Sequence, residues 1–176
     1  MNKNDLKIVF FGTPDFAVPA LKLLIDGGYK ISAVFTGQGP VGTLAQEHKI
    51  KIFRPTSLKK DERVFEEFKS LNPDLCIVAA YGKIIPQKFL DIPHYGFINI
   101  HPSLLPKYRG PSPIQTAILN RDTKTGVSIM VIDAEVDHGP LLGQITHELQ
   151  PETYYNEAEK ELAEVRENFG DKRKTK

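Results

Sequence analysis

The sequence has few of the residues that build disulfides, metal cages or membrane spans. Its 176 residues include one cysteine, two methionines and no tryptophan. The single cysteine, Cys76, cannot form an internal disulfide or a cysteine-rich zinc site, so we expect a reducing compartment and a cytoplasmic location. The apolar run at residues 8–11 is too short for a signal-peptide core or a membrane span, and we expect no membrane partner.

The chain also has almost no excess of one sign of charge over the other. Lys and Arg number 23 against 22 for Asp and Glu, which gives a formal net charge of +1 at pH 7. This balance excludes a strongly basic nucleic-acid binder of the histone type, although it allows a local basic patch. The apolar fraction of 40% excludes a disordered chain, and the length is sufficient to bury a continuous core.

Strand-like and helix-like segments alternate along the first 120 residues. This alternation predicts an α/β fold, a Rossmann-like, open, mostly parallel and twisted sheet with helices on both faces. The last two predicted strands have no full helix between them, so we expect them to be connected differently. The predicted strands are 8–11, 31–35, 51–53, 75–80, 97–101, 127–133 and 141–149, and the predicted helices are 16–26, 43–49, 61–71 and 113–119.

The end of the chain differs in character. We predict one catalytic domain over residues 1–150 and a C-terminal helix with a charged tail over residues 151–176. Apolar residues recur there in steps of three and four and form one seam on a Glu-rich helix, which we expect to dock on its own domain. The seam residues are Tyr155, Ala158, Leu162, Val165 and Phe169. The oligomeric state is left open.

Ligands of open α/β sheets bind outside the carboxyl ends of the strands, and three loops fall there: residues 12–15, 101–110 and 133–140. The first loop matches neither the dinucleotide-binding fingerprint nor the P-loop, so NAD and ATP are not expected. Asp15 in that loop is predicted to cap the following helix.

In the second loop region, Asn99 and His101 point to the same side of the predicted strand, because side chains alternate along a strand. The third loop offers four polar side chains, and a carboxylate among them could orient His101 for acid–base chemistry. Two alternatives stay open: a purely structural His101, and a metal site. The four side chains are those of Asp133, Glu135, Asp137 and His138.

Five stretches resemble the folate-dependent formyltransferases: residues 9–17, 78–86, 98–110, 125–130 and 137–140. The run Asn-x-His-x-Ser-Leu-Leu-Pro followed later by Asp-x-Gly is specific to that superfamily. The opening Gly-Thr-Pro-x-Phe and the segment Gly-Pro-Ser-Pro-Ile-Gln are similar to the branch that formylates initiator methionyl-tRNA.

The resemblance implies transfer of a formyl group from 10-formyltetrahydrofolate to a primary amine, with no metal. It implies that Asn99, His101 and Asp137 are the catalytic residues. It further implies a folate site bordered by Ser103, Leu104, Leu105, Pro106, Tyr81 and Gly82.

Two departures bear on the acceptor. Members of the tRNA-directed branch carry a second, β-barrel domain and a longer basic loop, whereas we expect no C-terminal β-barrel here and a short loop 37–42 without Lys or Arg. Contacts to tRNA phosphates would then depend on other cations, namely Lys107, Arg109, Arg121, Lys124 and the tail 172–176.

The alternatives to methionyl-tRNA as the acceptor are a small amine (an amino-sugar nucleotide or glycinamide ribonucleotide) and water, as in a formyltetrahydrofolate hydrolase. A folate-binding module without turnover is the alternative from outside the enzymes.

Overall fold

Strands and helices alternate along the chain in the computed structural model, which describes residues 5–165. The strands are β1 (Lys7–Gly12), β2 (Lys30–Phe35), β3 (Ile52–Phe53), β4 (Leu75–Ala79), β5 (Phe97–His101), β6 (Lys124–Val131) and β7 (Leu141–Glu148). The helices are α1 (Val18–Asp26), α2 (Pro40–Glu47), α3 (Glu62–Leu71), α4 (Gln87–Leu90), α5 (Pro113–Leu119) and α6 (Tyr155–Val165), and a 3-10 helix, Asp15–Ala17, precedes α1. None of the helices in residues 5–165 combines the length and the apolar character that a membrane crossing needs.

The strands follow the order β3-β2-β1-β4-β5-β6-β7 in the sheet. β1 pairs in parallel with β2 and β4, and β2 pairs in parallel with β3. β6 and β7 pair antiparallel. The predicted α/β fold with a mostly parallel sheet and differently connected last strands is therefore confirmed.

The described residues form two compact units, one ending at Asn99 and the other beginning at Ile100. In the second unit, α6 packs on α5, β6 and β7 and buries Ala158 and Leu162, as expected for a helix that docks on its own domain. Phe169 and the charged tail lie outside the described residues. The predicted domain boundary near residue 150 stays a prediction.

Aromatic rings fill the core of the first unit. Phe11 on β1 stacks on Phe35 of β2 with 4.6 Å between ring centroids, and Phe97 of β5 lies 5.4 Å from Phe11. Phe68 of α3 meets Phe11 and Phe35 edge-on at 6.1 and 5.7 Å. Cys76 is also buried, which raises the pKa of its thiol, so this residue packs as a small apolar side chain.

Two helices begin at other residues than predicted, in both cases because of a proline. Pro19 has no N–H to donate to the carbonyl of Asp15, so the predicted helix 16–26 is divided into the 3-10 helix and α1. The predicted N-cap role of Asp15 is wrong, since Asp15 is the first residue of the 3-10 helix, and the N-cap positions of the 3-10 helix and of α1 are Pro14 and Ala17. α2 begins at Pro40, whose ring suits a first helical position, so the predicted loop 37–42 ends at Gly39 and is even shorter than expected.

Two further differences lie in the second unit. β6 begins at Lys124 rather than at Val127, because Gly126 continues the strand where a Cβ would overlap the carbonyl oxygen of Ile145. α5 begins at Pro113 after Ser112, as predicted, but the hydroxyl of Ser112 makes no cap hydrogen bond. In the first unit, the one-turn helix α4 was not predicted from the sequence.

Phe68→Ala is expected to lower the free energy of unfolding by about 3–5 kcal/mol, because it removes a fully buried ring and leaves a cavity in the aromatic core. Phe68→Leu refills most of that volume and is expected to cost clearly less. Urea unfolding followed by circular dichroism measures both. Equal losses for the two variants would contradict this account of the core.

Candidate active site

His101 is the last residue of β5, and its side chain is only 4% exposed. Nε2 of its ring lies 2.9 Å from the backbone carbonyl oxygen of Tyr108, and Nδ1 lies 3.5 Å from Oδ2 of Asp137. The predicted pairing of His101 with a carboxylate of the third loop is thus confirmed, and the carboxylate is that of Asp137. Asn99 lies two residues earlier on β5.

The two neighbours of the His101 ring are both acceptors. A carbonyl oxygen and a carboxylate accept hydrogen bonds, and only the protonated imidazole ring can donate from both nitrogens. The Nε2 contact is a short hydrogen bond, whereas 3.5 Å is long for one. The Nδ1 edge of the ring is therefore the one that can turn its proton to a ligand without losing the bond to Tyr108.

Asp137 is held by the backbone as well as by His101. Its Oδ2 accepts a hydrogen bond from the N–H of Gly110 at 2.8 Å. Its own φ is +47°, a left-handed conformation that Asp tolerates better than most residues. The side chain is 13% exposed and so retains limited access to solvent.

Two other polar residues of the third loop, Asp133 and His138, pair with each other. Asp133 contacts His138 at 2.9 Å and accepts the N–H of Glu135, and these hydrogen bonds lower the pKa of its carboxyl group. Asp137 is therefore the carboxylate of this loop that contacts the buried histidine. Among residues 5–165, no group of three or more metal-ligating side chains is found.

A buried hydroxyl, that of Ser128 on β6, organises the loop at residues 103–106. It donates to the carbonyl of Ser103 at 2.6 Å and accepts the N–H of Leu105 at 3.0 Å and Nε2 of Gln144 at 2.8 Å. Gln144 also donates to the carbonyl of Leu105 at 2.9 Å. One donated and two accepted hydrogen bonds use the full capacity of a serine hydroxyl.

The resemblance implies that four residues of the 103–106 loop border the folate, and these residues differ in exposure. Ser103 is fully buried and donates its hydroxyl to the carbonyl of Lys107 at 2.6 Å, and Leu105 is 6% exposed. Leu104 is half-buried and Pro106 is exposed. Leu104 and Pro106 are thus the members of this loop whose side chains have access to a ligand.

Tyr81 and Gly82 follow β4 in the first unit. The Tyr81 ring lies edge-on to Phe11 at 5.3 Å, and its hydroxyl is buried without a hydrogen-bond partner in the described part of the chain. Burial raises the pKa of this phenol. Gly82 is exposed and has a φ of +73°.

Residues 6–169 match the family model described as formyl transferase. The chain belongs to the formyl transferase family. Methionyl-tRNA formyltransferase of Dehalococcoides mccartyi (strain CBDB1) is 47% identical over 162 residues, covering 85% of this chain and 51% of that protein. The enzyme of the same name from Francisella tularensis subsp. mediasiatica is 48% identical, covering 82% of this chain and 50% of that protein. The chain spans about half the length of these curated relatives.

Solved structures confirm the fold. Phosphoribosylglycinamide formyltransferase from Bacillus halodurans aligns with a TM-score of 0.80 at 22% identity, over 90% of this chain and 88% of that one. A formyltetrahydrofolate deformylase from Pseudomonas syringae aligns with a TM-score of 0.78 at 19% identity, over 91% of this chain and 57% of that one. The Rossmann-like fold predicted from the sequence is therefore the formyl transferase fold.

Several groups that build this candidate site were not identified from the sequence. The carbonyl of Tyr108 and the N–H of Gly110 are backbone groups, and no side-chain pattern marks them. Ser128 carries a usable signal, since it is a polar residue inside the apolar run 127–131 of a strand. A buried hydroxyl in such a run predicts a hydrogen bond to a neighbouring loop.

Ser128→Ala is expected to lower the free energy of unfolding by about 2 kcal/mol, because it leaves the N–H of Leu105 and the carbonyl of Ser103 without their partner. Ser112→Ala is the matched control, since the Ser112 hydroxyl is exposed and makes no cap bond, and a change within about 0.5 kcal/mol is expected. Chemical denaturation compares the two. Similar losses in both variants would rule out the proposed role of the Ser128 hydroxyl.

Proposed function

We propose that this chain transfers the formyl group of 10-formyltetrahydrofolate to the amino group of methionyl-tRNA. The observation that carries the proposal is the buried His101 between the Tyr108 carbonyl and the Asp137 carboxylate. The names of relatives at 47–48% identity support methionyl-tRNA as the acceptor.

In this reaction the amine nitrogen attacks the formyl carbon, and the carbonyl electron pair moves onto oxygen to give a tetrahedral oxyanion. The oxyanion then collapses, the bond to the folate nitrogen breaks, and that nitrogen takes up a proton equivalent to the one that the amine loses. The electrons balance without a redox partner. Donors aimed at the developing oxyanion commonly supply the largest part of such catalysis.

The geometry suggests a separate role in the reaction for each of three side chains. Protonated His101 donates from Nδ1 to the oxyanion, while Nε2 keeps its bond to Tyr108. Asp137 balances the charge of the imidazolium and relays the proton from the amine towards the folate nitrogen. The side-chain amide of Asn99 donates a second hydrogen bond to the oxyanion.

For the formyl donor, we assign Tyr81, Gly82 and the loop Ser103, Leu104, Leu105 and Pro106 to the folate site. The Tyr81 hydroxyl supports this assignment, because it is a buried donor without a partner in residues 5–165. In the loop, Leu104 and Pro106 have the accessible side chains, and the buried residues Ser103 and Leu105 hold the loop against the rest of the second unit. The proposal requires no metal ion, and it keeps the cytoplasmic location.

For the acceptor, phosphate contacts require free cations. Lys107 is paired with Asp122 at 2.7 Å and Lys124 with Glu148 at 3.8 Å. Arg109 and Arg121 are exposed, and neither arginine forms an ion pair within the described part of the chain. Of the four predicted cations in the described residues, these two are the better candidates for contacts with tRNA phosphates.

The decisive assay mixes the purified protein with 10-formyltetrahydrofolate and follows the release of tetrahydrofolate with methionyl-tRNA, an amino-sugar nucleotide, glycinamide ribonucleotide or water alone. We expect release with methionyl-tRNA. Release only with a small amine would change the acceptor, and release with water alone would indicate a hydrolase. Folate binding without release in any mixture would indicate a binding module and contradict the proposal.

His101→Ala is expected to lower kcat about 10²–10⁴-fold, because it removes both the oxyanion donor and the partner of Asp137. His147→Ala is the matched control: His147 also pairs with a carboxylate, Glu161, at 2.9 Å, but lies outside the proposed site. We expect its activity to remain near that of the wild type. Full activity in His101→Ala would eliminate the mechanism.

Arg121→Gln is expected to raise KM for methionyl-tRNA and to reduce the salt slope of tRNA binding by about 0.9 for each phosphate that the arginine neutralises. KM for the formyl donor should not change. Lys22→Gln is the control, since Lys22 is paired with Asp26 on α1. An unchanged salt slope in Arg121→Gln would exclude a role of Arg121 in phosphate binding.

A further inference from the structure

The turn at residues 107–110 supplies one backbone contact to each member of the His101–Asp137 pair. Its Tyr108 carbonyl accepts Nε2 of His101 at 2.9 Å, and its Gly110 N–H donates to Asp137 at 2.8 Å. These two backbone groups lie two residues apart. A change in the conformation of this 107–110 turn would therefore move both contacts together.

The 107–110 turn does not have a relaxed backbone. Tyr108 has a φ of +59° and Gly110 a φ of +96°. Glycine adopts such values without difficulty, but a tyrosine in the left-handed region is disfavoured. The conformation at Tyr108 therefore depends on contacts that hold this residue in place.

Those contacts converge on Asp122, which follows α5. Oδ2 of Asp122 accepts the hydroxyl of Tyr108 at 2.7 Å and Nζ of Lys107 at 2.7 Å. Asn120 in turn donates its amide to the Tyr108 hydroxyl at 2.9 Å. The Asp122 side chain is only 16% exposed, so these hydrogen bonds are partly shielded from water.

We propose that Tyr108 and Asp122 are positioning residues that act on His101 and Asp137 through the 107–110 turn. The hydrogen bond from the Tyr108 hydroxyl to Asp122 anchors the side chain, the anchored side chain fixes the backbone, and the backbone orients both members of the pair. In this role the Tyr108 side chain and Asp122 act through the backbone and take no direct part in the chemistry. This proposal rests on the function proposed above, because it assigns the pair to catalysis.

Tyr108→Phe tests this role most directly, since it removes only the hydroxyl and leaves the carbonyl that accepts from His101. We expect kcat to fall at least tenfold, with KM for both substrates within about threefold of the wild-type values. Tyr155→Phe is the matched control, because Tyr155 also donates its hydroxyl to a carboxylate of the second unit, that of Glu159, at 2.8 Å. We expect Tyr155→Phe to keep its kcat.

A spectroscopic measurement separates positioning from general stability. In ¹⁵N-histidine spectra of the wild type, the Nε2–H of His101 is expected as a slowly exchanging signal that is absent from His101→Ala. Tyr108→Phe should broaden or shift this signal, whereas Tyr155→Phe should leave it unchanged. An unchanged His101 signal together with an unchanged kcat in Tyr108→Phe would overturn the proposal.

The Asp122 variants give an independent test should Tyr108→Phe not fold. Asp122→Asn keeps an acceptor for the Tyr108 hydroxyl, and Asp122→Ala removes it. We expect a smaller loss of kcat and a smaller change of the His101 signal in Asp122→Asn than in Asp122→Ala, and equal effects would overturn the proposal. Should the wild type release no tetrahydrofolate with any acceptor, the proposed function fails, while the His101 signal still decides whether the turn positions the ring.

Discussion

Burying an imidazole between two acceptors is the constraint on which the candidate site depends. An unpaired polar group in a protein interior costs free energy, so each nitrogen of the His101 ring requires a partner. The Tyr108 carbonyl and the Asp137 carboxylate supply those partners, and both belong to loops rather than to strands. The strand β5 thus fixes the position of the histidine, and the two loops fix the orientation of its ring.

The same constraint shapes the loops around the histidine. The 103–106 loop is held by the Ser128 hydroxyl and the Gln144 amide, and the 107–110 turn is held through Asp122. The hydroxyl of Ser103 links the two segments through the carbonyl of Lys107. Hydrogen bonds that satisfy buried backbone groups therefore hold the residues of the proposed reaction in place.

The sequence predicts the strands well where an apolar run is bounded by residues that favour turns, such as glycine and proline. β5 has the predicted ends because a turn precedes it and a polar, proline-containing segment follows it. The predicted start of β6 was three residues too late, because a glycine such as Gly126 is typical of a strand end. In the structure, Gly126 lies inside the strand and allows the close approach of β7. α2 was misplaced because Gly39-Pro40 was interpreted as loop, although a proline is well suited to the first turn of a helix.

The candidate site is only partly predictable from the sequence, for a similar reason. The pairing of His101 with a later carboxylate could be predicted, because the chemistry of both side chains is visible in the sequence, and because His101 ends one predicted strand while the third loop follows another. The choice of Asp137 came from the resemblance, and the structure explains it: Asp133 is already paired with His138. The Tyr108 carbonyl and the Gly110 N–H could not be predicted, because every residue has such groups and only the fold selects among them.

Chemistry and acceptor recognition place different demands on this formyl transferase. The proposed chemistry needs a few donors and acceptors held in a fixed geometry, and buried or partly buried hydrogen bonds between residues 101 and 144 hold them. Recognition of a polyanion needs exposed cations whose long side chains can adapt, and Arg109 and Arg121 have that exposure. Lys107 is also exposed, but its charge is paired with Asp122 at 2.7 Å. In the proposed function, the hydrogen bonds around His101 therefore serve the chemistry, and the exposed arginines serve the acceptor.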